Sequence, residues 1–431
     1  MKSEKKRGKN SSRNLKKKGF FSQIKERFHL VISNDGEMNK PSFSIMEVVI
    51  IILISILFGI LVGYVITCTR GVSNSTKSSS KVTEIVNTYN SIVDNYYDDI
   101  DKNKLADAAI KGMIESLDDP YSNYMDSETT SSFNESVEGS FVGIGVVVTY
   151  DENLKYNTII DVIKGTPAEK YGLKVDDVIV KVDGEDVKEA YGDNLAKLIR
   201  GKQGTKVKLT IKRGNKEKEI TLKRGIVEIE SVTSKTLEYN DKKIGYLKID
   251  SFATNTYEQF YKALKRLEKK NIDSLVLDVR DNPGGHLLQT RQILSLFFPK
   301  KTVLYQIQSK NVKKKIYSDS SETRKYPVAI LVNNGTASAA EILATCFHDN
   351  YKDSIIVGNP TYGKGTVQKA QSLSSGNSIK YTTQKWLTSK GKWLNQKGLQ
   401  PDIVVDQSEE YFENPEYNTD VQLQEALKNL K

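Results

Sequence analysis

Histidine and cysteine are scarce in this chain: three of one and two of the other among 431 residues. Two cysteines, Cys68 and Cys346, cannot build a disulfide framework. No His-Glu-x-x-His and no Cys-x-x-Cys occurs, so the familiar metal-ligand spacings are missing and no metal or other cofactor is expected. Acidic residues are sparse at one end only. Residues 1–40 hold 12 Lys or Arg against 4 Asp or Glu, a surplus of 8 out of a whole-chain charge of +10, which leaves +2 for everything after them. The basic balance thus describes a short arm, residues 1–44, and gives no nucleic-acid-binding surface.

Charge is also missing from residues 45–67, 23 residues with Glu47 as their single charge. That length spans a bilayer, and the positive arm before it places the N-terminus in the cytoplasm and the rest outside. A cleaved signal peptide is the alternative. The stretch exceeds a usual signal core, however, and Val65-Ile66-Thr67-Cys68 lacks the small residue expected before a lipoprotein cysteine. The reading is an uncleaved, single-pass cell-membrane anchor, with a Ser/Thr/Lys-rich stalk over 68–80.

Chemistry concentrates around Ser338 and Lys364. An apolar run, residues 328–332, leads through Asn333-Asn334-Gly335-Thr336-Ala337-Ser338 into Ala339-Ala340-Glu341-Ile342, which reads as strand, turn and helix. A serine at a helix start is exposed beside a terminus that favours developing negative charge. It needs a base. His29 precedes the membrane span and lies on its other side. His348 is ten residues on, about 15 Å along a helix axis. His286, after Gly284-Gly285, stays open by position. Lys364, between Gly363 and Gly365, fits better as the base of a Ser-Lys dyad once burial lowers its pKa from about 10.4. From spacing alone, these residues equally describe a Gly-rich turn with a solvated lysine. Gly358 to Lys364 also fits a phosphate-binding pattern, except that Gly365 stands where a Ser or Thr is required.

Three segments, Leu277-Asp278-Val279-Arg280-Asp281-Asn282-Pro283-Gly284-Gly285, Gly335 to Ile342, and Gly363-Lys364-Gly365-Thr366-Val367-Gln368, resemble the carboxy-terminal processing proteases, also called tail-specific proteases. The likeness extends over about residues 80–431. It implies that Ser338 is the nucleophile, Lys364 the general base and Gln368 the residue orienting that lysine. It also implies an oxyanion hole from the amides of Ala339 and the Gly284-Gly285 turn. Thr336 and Ala340 depart from the serines common in the family.

Residues 138–225 read as short strands with Gly turns and look like a PDZ domain: Phe141-Val142-Gly143-Ile144-Gly145, Gly165 to Leu173, and Asp176 to Gly184. Such domains capture a peptide's terminal carboxylate on a Gly-containing loop and pair the peptide as an added strand. Phe141, Gly143, Ile144 and Gly145 match that site, and Arg200 matches a residue coupling peptide binding to active-site assembly in some members. On its own, Arg200 is an exposed helix-end charge.

Before this module, residues 81–137 show helical periodicity, with Val82, Ile85, Val86, Tyr89 and Ile92 on one face, and Asp118-Asp119-Pro120-Tyr121 stops the second helix. Residues 112–122 resemble a segment common before the binding module of the family. From residue 226 to 408 the pattern is α/β. Asp278 and Arg280 are read as bracing the glycine turn, Trp386 and Trp393 as flanking a hairpin turn at residues 389–391, and the tail over 409–431 as helical and offering a subunit contact.

The expectation is a multidomain α+β chain: a membrane-anchored serine endopeptidase on the extracytoplasmic side. Its partners would be protein or peptide substrates with a free C-terminus, the membrane, and a second copy in a homodimer, with no nucleic acid. The alternative is a membrane-tethered peptide-binding scaffold without catalysis.

Overall fold

The computed structural model describes residues 45–73, 80–321 and 323–430. The basic arm and the stalk residues 74–79 lie outside them. The chain divides into two compact units, 1–100 and 101–431.

The first unit holds two helices, Ile45–Ser73 and Ser80–Asn95. Along the first, residues 48–64 carry mostly exposed side chains, among them Phe58 and Leu61. Taken over the described residues, no helix is long and apolar enough to cross a membrane. The segment expected to span one is thus a helix, not a demonstrated crossing. On the second helix, Val82, Ile85 and Val86 are exposed.

The second unit begins with the helix Lys102–Glu115, capped by Asp101, whose carboxylate accepts the amides of Asn103 and Lys104. The helical reading of 81–137 then fails over a short piece. Asn123–Met125 is a strand that pairs antiparallel with residues 378–380 at the edge of a five-stranded sheet. Three residues are too few for a period to show in the sequence. The helix Ser127–Glu138 follows and ends at Gly139 in the left-handed conformation.

Residues 146–223 form a six-stranded antiparallel sheet around a core that includes Ile159, Ile179, Leu209 and Leu222, closed by the helix Asp193–Ile199. Ser140–Gly143 stands apart from this sheet and pairs with Gly225–Glu228.

The largest core belongs to a second six-stranded sheet, ordered 232–239, 242–249, 274–278, 328–332, 354–358, 403–404. All its pairings are parallel except the first. Because side chains alternate along a strand, each face needs its own cover. Leu275, Leu277, Ile330 and Val332 pack under the helices Thr256–Glu268, Leu287–Ser295 and Ala339–Asn350. Val276, Ala329, Leu331 and Val357 pack under the helix Val421–Asn429 through Leu423, Ala426 and Leu427. The tail expected to offer a subunit contact therefore spends its apolar face within its own chain.

Candidate active site

Three loops leave the carboxyl ends of three adjacent parallel strands: 281–286 after Ser274–Asp278, 333–338 after Val328–Val332, and 359–365 after Ser354–Gly358. A crevice at such strand ends is the usual place for a site in this architecture. All three sequence motifs are thereby brought together.

The glycine turn and the serine loop are joined by several hydrogen bonds. Asn333 Nδ2 donates to Asp281 Oδ1 at 2.8 Å, the Thr336 hydroxyl donates to the Val279 carbonyl at 2.8 Å, and the Ala337 amide donates to the Asn282 carbonyl at 2.9 Å. Thr336, one of the two departures from the family pattern, is fully buried and carries one of these bonds. Ser338 itself is half-buried at φ 55° and ψ −114°, a conformation that a residue with a Cβ adopts only under constraint. It precedes the helix Ala339–Asn350.

The constraint comes from Glu341, which is fully buried. Its Oε2 accepts the amides of Ser338 and Lys364, each at 2.8 Å. Its Oε1 accepts the Thr361 hydroxyl at 2.6 Å and the Gly363 amide at 2.7 Å. One carboxylate thus fixes the serine loop against the lysine loop. Sequence reasoning missed this role, although Glu three residues after a helix-capping Ser is the spacing of a capping box.

Gly284, at φ 100°, lies against the nucleophile: a Cβ there would fall 2.8 Å from Ser338 Cβ and 2.9 Å from the Ala339 nitrogen. The Gly284 amide donates to Asn282 Oδ1 at 2.8 Å. Among the described residues, the Gly285 amide and the first helical amide, that of Ala339, donate to no protein acceptor.

The lysine loop is pinned by its own carbonyls. Trp386 Nε1 donates to the Lys364 carbonyl at 2.7 Å and Trp393 Nε1 to the Gly365 carbonyl at 3.0 Å. A Cβ on Gly363 or Gly365 would collide with Gly398 or Trp393, so the backbone does pack closely on both sides of Lys364. A strand, not a helix, follows at Thr366–Ser372, which rules out a phosphate-binding loop here.

The Lys364 ammonium lies 4.8 Å from the centroid of the Tyr121 ring. Burial holds its pKa below the ordinary lysine value, and the charge of Lys380 adds to the shift, against the opposing pull of Asp119 and Glu341. Among the described residues no hydrogen bond joins Lys364 Nζ to the Ser338 hydroxyl. Gln368 Nε2 donates to the hydroxyls of Thr366 and Thr382, at 2.9 and 3.0 Å, and not toward Lys364.

His286 stands at the N-cap position of the next helix without a side-chain cap bond, and among the described residues its buried Nε2 has no partner. The ring nitrogens of His348 face Asp349 and Asp402, at 3.6 and 3.7 Å. Burial pushes the Cys346 thiol up, leaving it an inert core side chain. Among the described residues no group of His, Cys, Asp or Glu side chains could hold a metal. Asp278 and Arg280, expected to brace the glycine turn, bond instead to each other and to Tyr246, Asp420 and Gln422. Arg280 pairs with Asp278 at 2.6 Å and also with Asp420 at 2.7 Å, a partner from the tail that the sequence did not reveal.

Of the residues expected to bind a peptide, Phe141 and Arg200 line a cavity of about 710 Å³ together with Val142 and Lys197, whereas Gly143, Ile144 and Gly145 are not part of its lining. The Arg200 guanidinium sits 4.8 Å from the Phe141 ring centroid and donates to Glu135 Oε2 at 2.8 Å, while Lys197 pairs with Glu128 at 2.6 Å. Both acidic partners belong to the helix Ser127–Glu138, which therefore forms the other wall. Gly145, at φ 84°, abuts Thr166, and the buried Ile144 accepts the Ala168 amide through its carbonyl at 2.7 Å. Only Gly fits at 145, because a Cβ would fall 2.4 Å from the Thr166 side chain.

Comparison with known proteins agrees with this layout. Residues 243–405 match Peptidase family S41, residues 140–223 match a PDZ domain, and residues 66–129 match the Activating protease CtpB N-terminal domain. The carboxy-terminal processing protease CtpA of Bacillus subtilis (strain 168) is 40% identical over 338 residues, covering 78% of this chain and 71% of that protein. CtpB of the same organism is 38% identical over 349 residues, covering 80% and 71%. A solved structure of the photosystem II D1 C-terminal processing protease aligns at 28% identity and a TM-score of 0.46, covering 75% of this chain and 86% of that one.

Proposed function

The chain belongs to peptidase family S41, the carboxy-terminal processing proteases, and is a serine-type peptidase with a PDZ domain; from that premise we propose that it is a membrane-anchored endopeptidase that recognises protein C-termini and cleaves with a Ser338–Lys364 dyad. The observation that carries the dyad is the buried Glu341 carboxylate, which sets the backbones of Ser338 and Lys364 on two sides of one oxygen.

In this mechanism neutral Lys364 takes the hydroxyl proton of Ser338, and Oγ attacks the peptide carbonyl carbon. The amides of Gly285 and Ala339 hold the oxyanion. Collapse breaks the C–N bond, Lys364 gives its proton to the leaving amine, and water then releases the acyl group from Ser338. The lysine amine has to turn from the Tyr121 ring toward Ser338 for the first step. For Gln368 to orient it, its amide has to leave the hydroxyls of Thr366 and Thr382.

Tail recognition is assigned to the cavity beside Phe141 and Arg200, where Gly143 lies against the Phe141 ring. Arg200, held by Glu135 in this structure, is the residue that couples peptide binding to assembly of the active site. The anchor is assigned to residues 45–67 on their length, single charge and exposed apolar helix, and the arm before them orients it with the peptidase outside. A homodimer remains part of the reading, with the exposed face of Ser80–Asn95 as its natural contact.

The test uses the full chain in vesicles with a tail peptide. Cleavage lost in Ser338→Ala with peptide binding retained supports the reading; binding with no cleavage by the unsubstituted protein favours a scaffold. Extraction by alkaline carbonate in the absence of detergent would remove the anchor from the account.

A further inference from the structure

We propose that Tyr121 is a positioning residue for the base of this site: its ring is the wall that keeps water from the Lys364 amine. The inference rests on the Ser-Lys reading and adds to it a residue from outside the peptidase core, since Tyr121 precedes the S41 match at 243–405 by more than a hundred residues.

Geometry carries it. The ring centroid lies 4.8 Å from Lys364 Nζ. Tyr121 sits in a turn held from several sides. Asp119 Oδ1 accepts the Tyr121 amide at 3.2 Å, Asp119 Oδ2 accepts the Ser122 hydroxyl at 2.5 Å, and the Thr382 amide donates to Ser122 Oγ at 3.1 Å. Directly after the turn, residues 123–125 pair in register with residues 380–378. Trp386, which binds the Lys364 carbonyl, is on that same strand, Ser378–Thr388. One strand thus fixes both the backbone of the lysine and the ring against its side chain.

Four groups face Lys364 from the elements around it. They are Asp119 in the turn, Lys380 on the strand, Glu341 on the serine helix and the ring of Tyr121, whose phenol in turn meets that of Tyr362. Burial pushes the Tyr121 phenol up to about 12, with Tyr362 adding to it, so the ring is neutral at working pH. Burial pushes the Asp119 carboxyl upward, but hydrogen bonds from Ser122, Thr382 and Tyr121 hold it below the ordinary range. A ring face attracts an ammonium, whereas exclusion of water favours the neutral amine. Burial is the largest influence on Lys364, and we take the ring's share of that burial to outweigh its attraction for the ammonium, which favours the neutral base.

The test measures Lys364 itself, by pH-dependent acetic anhydride labelling of the full chain in the Ser338→Ala background, read by peptide mass spectrometry. Tyr121→Ala should raise the labelling pKa of Lys364 by about one unit, a tenfold change in protonation at fixed pH, while Tyr121→Phe leaves it in place. Tyr121→Val serves where the alanine variant does not fold. No rise in the truncated variants, or an equal rise in Tyr121→Phe, overturns the proposal. In the catalytically competent chain the acidic limb of kcat/KM should move with the labelling pKa. If labelling moves and the limb does not, the wall stands and Lys364 is not the base.

Discussion

The backbone amides of Ser338 and Lys364, 26 residues apart in sequence, point at a single atom, Glu341 Oε2, 2.8 Å from each. A fully buried carboxylate satisfied by four donors is a rigid joint, because each donor left alone would cost about 1–3 kcal/mol. The relative placement of nucleophile and lysine therefore depends on one side chain that touches neither reacting atom.

Replacing that side chain separates the two loops. Glu341→Gln keeps one acceptor oxygen and puts an NH₂ where two amides donate, so kcat should fall about 100-fold, with a loss of roughly 2–4 kcal/mol of stability. Steady-state kinetics and denaturant melts on the same preparations check both. Unchanged kcat would show that the joint is not needed for catalysis.

Gly284 stands where no side chain fits. An alanine would require φ near 100° and put its Cβ 2.8 Å from Ser338 Cβ and from the Ala337 carbonyl oxygen. Gly284→Ala should retain the fold by circular dichroism and lose at least about 100-fold in kcat/KM, in line with damage to an oxyanion site.

Lysine as base fixes the sign of the pH response. Burial, then Lys380, lowers the pKa of Lys364 in the folded chain, and the active form is the neutral amine. Activity should therefore be present above that lowered pKa and lost as pH falls through it. Lys380→Met removes the like charge, so the pKa rises and the acidic limb of kcat/KM shifts to higher pH. The same shift has a stability counterpart. Between the lowered pKa and 10.5 the unfolded chain binds a proton that the folded chain does not, so stability rises with pH across that window. Lys364→Met should flatten that rise in denaturant titrations.

Arg280 lies buried between Asp278 and Asp420, the latter from the segment just before the helix Val421–Asn429. Asp420→Ala leaves half of this arrangement unpaired, which typically costs about 3–5 kcal/mol. The variant should melt at lower temperature and lose activity only as far as it unfolds. A fall in activity at full folding would instead show that the tail reaches the glycine turn through Arg280.

Much of the site was legible because its signals are local. The glycine turn, the serine loop and the lysine loop each follow a short apolar run, and strand ends of a parallel sheet then bring them together. The tight approaches at Gly284, Gly363 and Gly365 were announced by residue type. Other contacts join residues far apart in the chain and leave no periodic trace. Tyr121 reaches Lys364 through a three-residue strand, Asp420 reaches Arg280 across 140 residues, and Glu135 takes Arg200 across 65. Gln368 was placed by resemblance, and its amide instead meets two threonines, Thr366 and its cross-strand neighbour Thr382. The tail helix carried an apolar face that the sequence could not direct inward or outward. The second face of the sheet decided it.

The dyad is tested most directly by comparing the full chain with its Lys364→Ala form on an unfolded protein that ends in a free apolar C-terminus, with products read by mass spectrometry. The account predicts discrete internal cleavages by the first and none by the second, with tail binding equal in both. Equal cleavage by the two would contradict it and turn attention to His286, the remaining histidine beside the glycine turn.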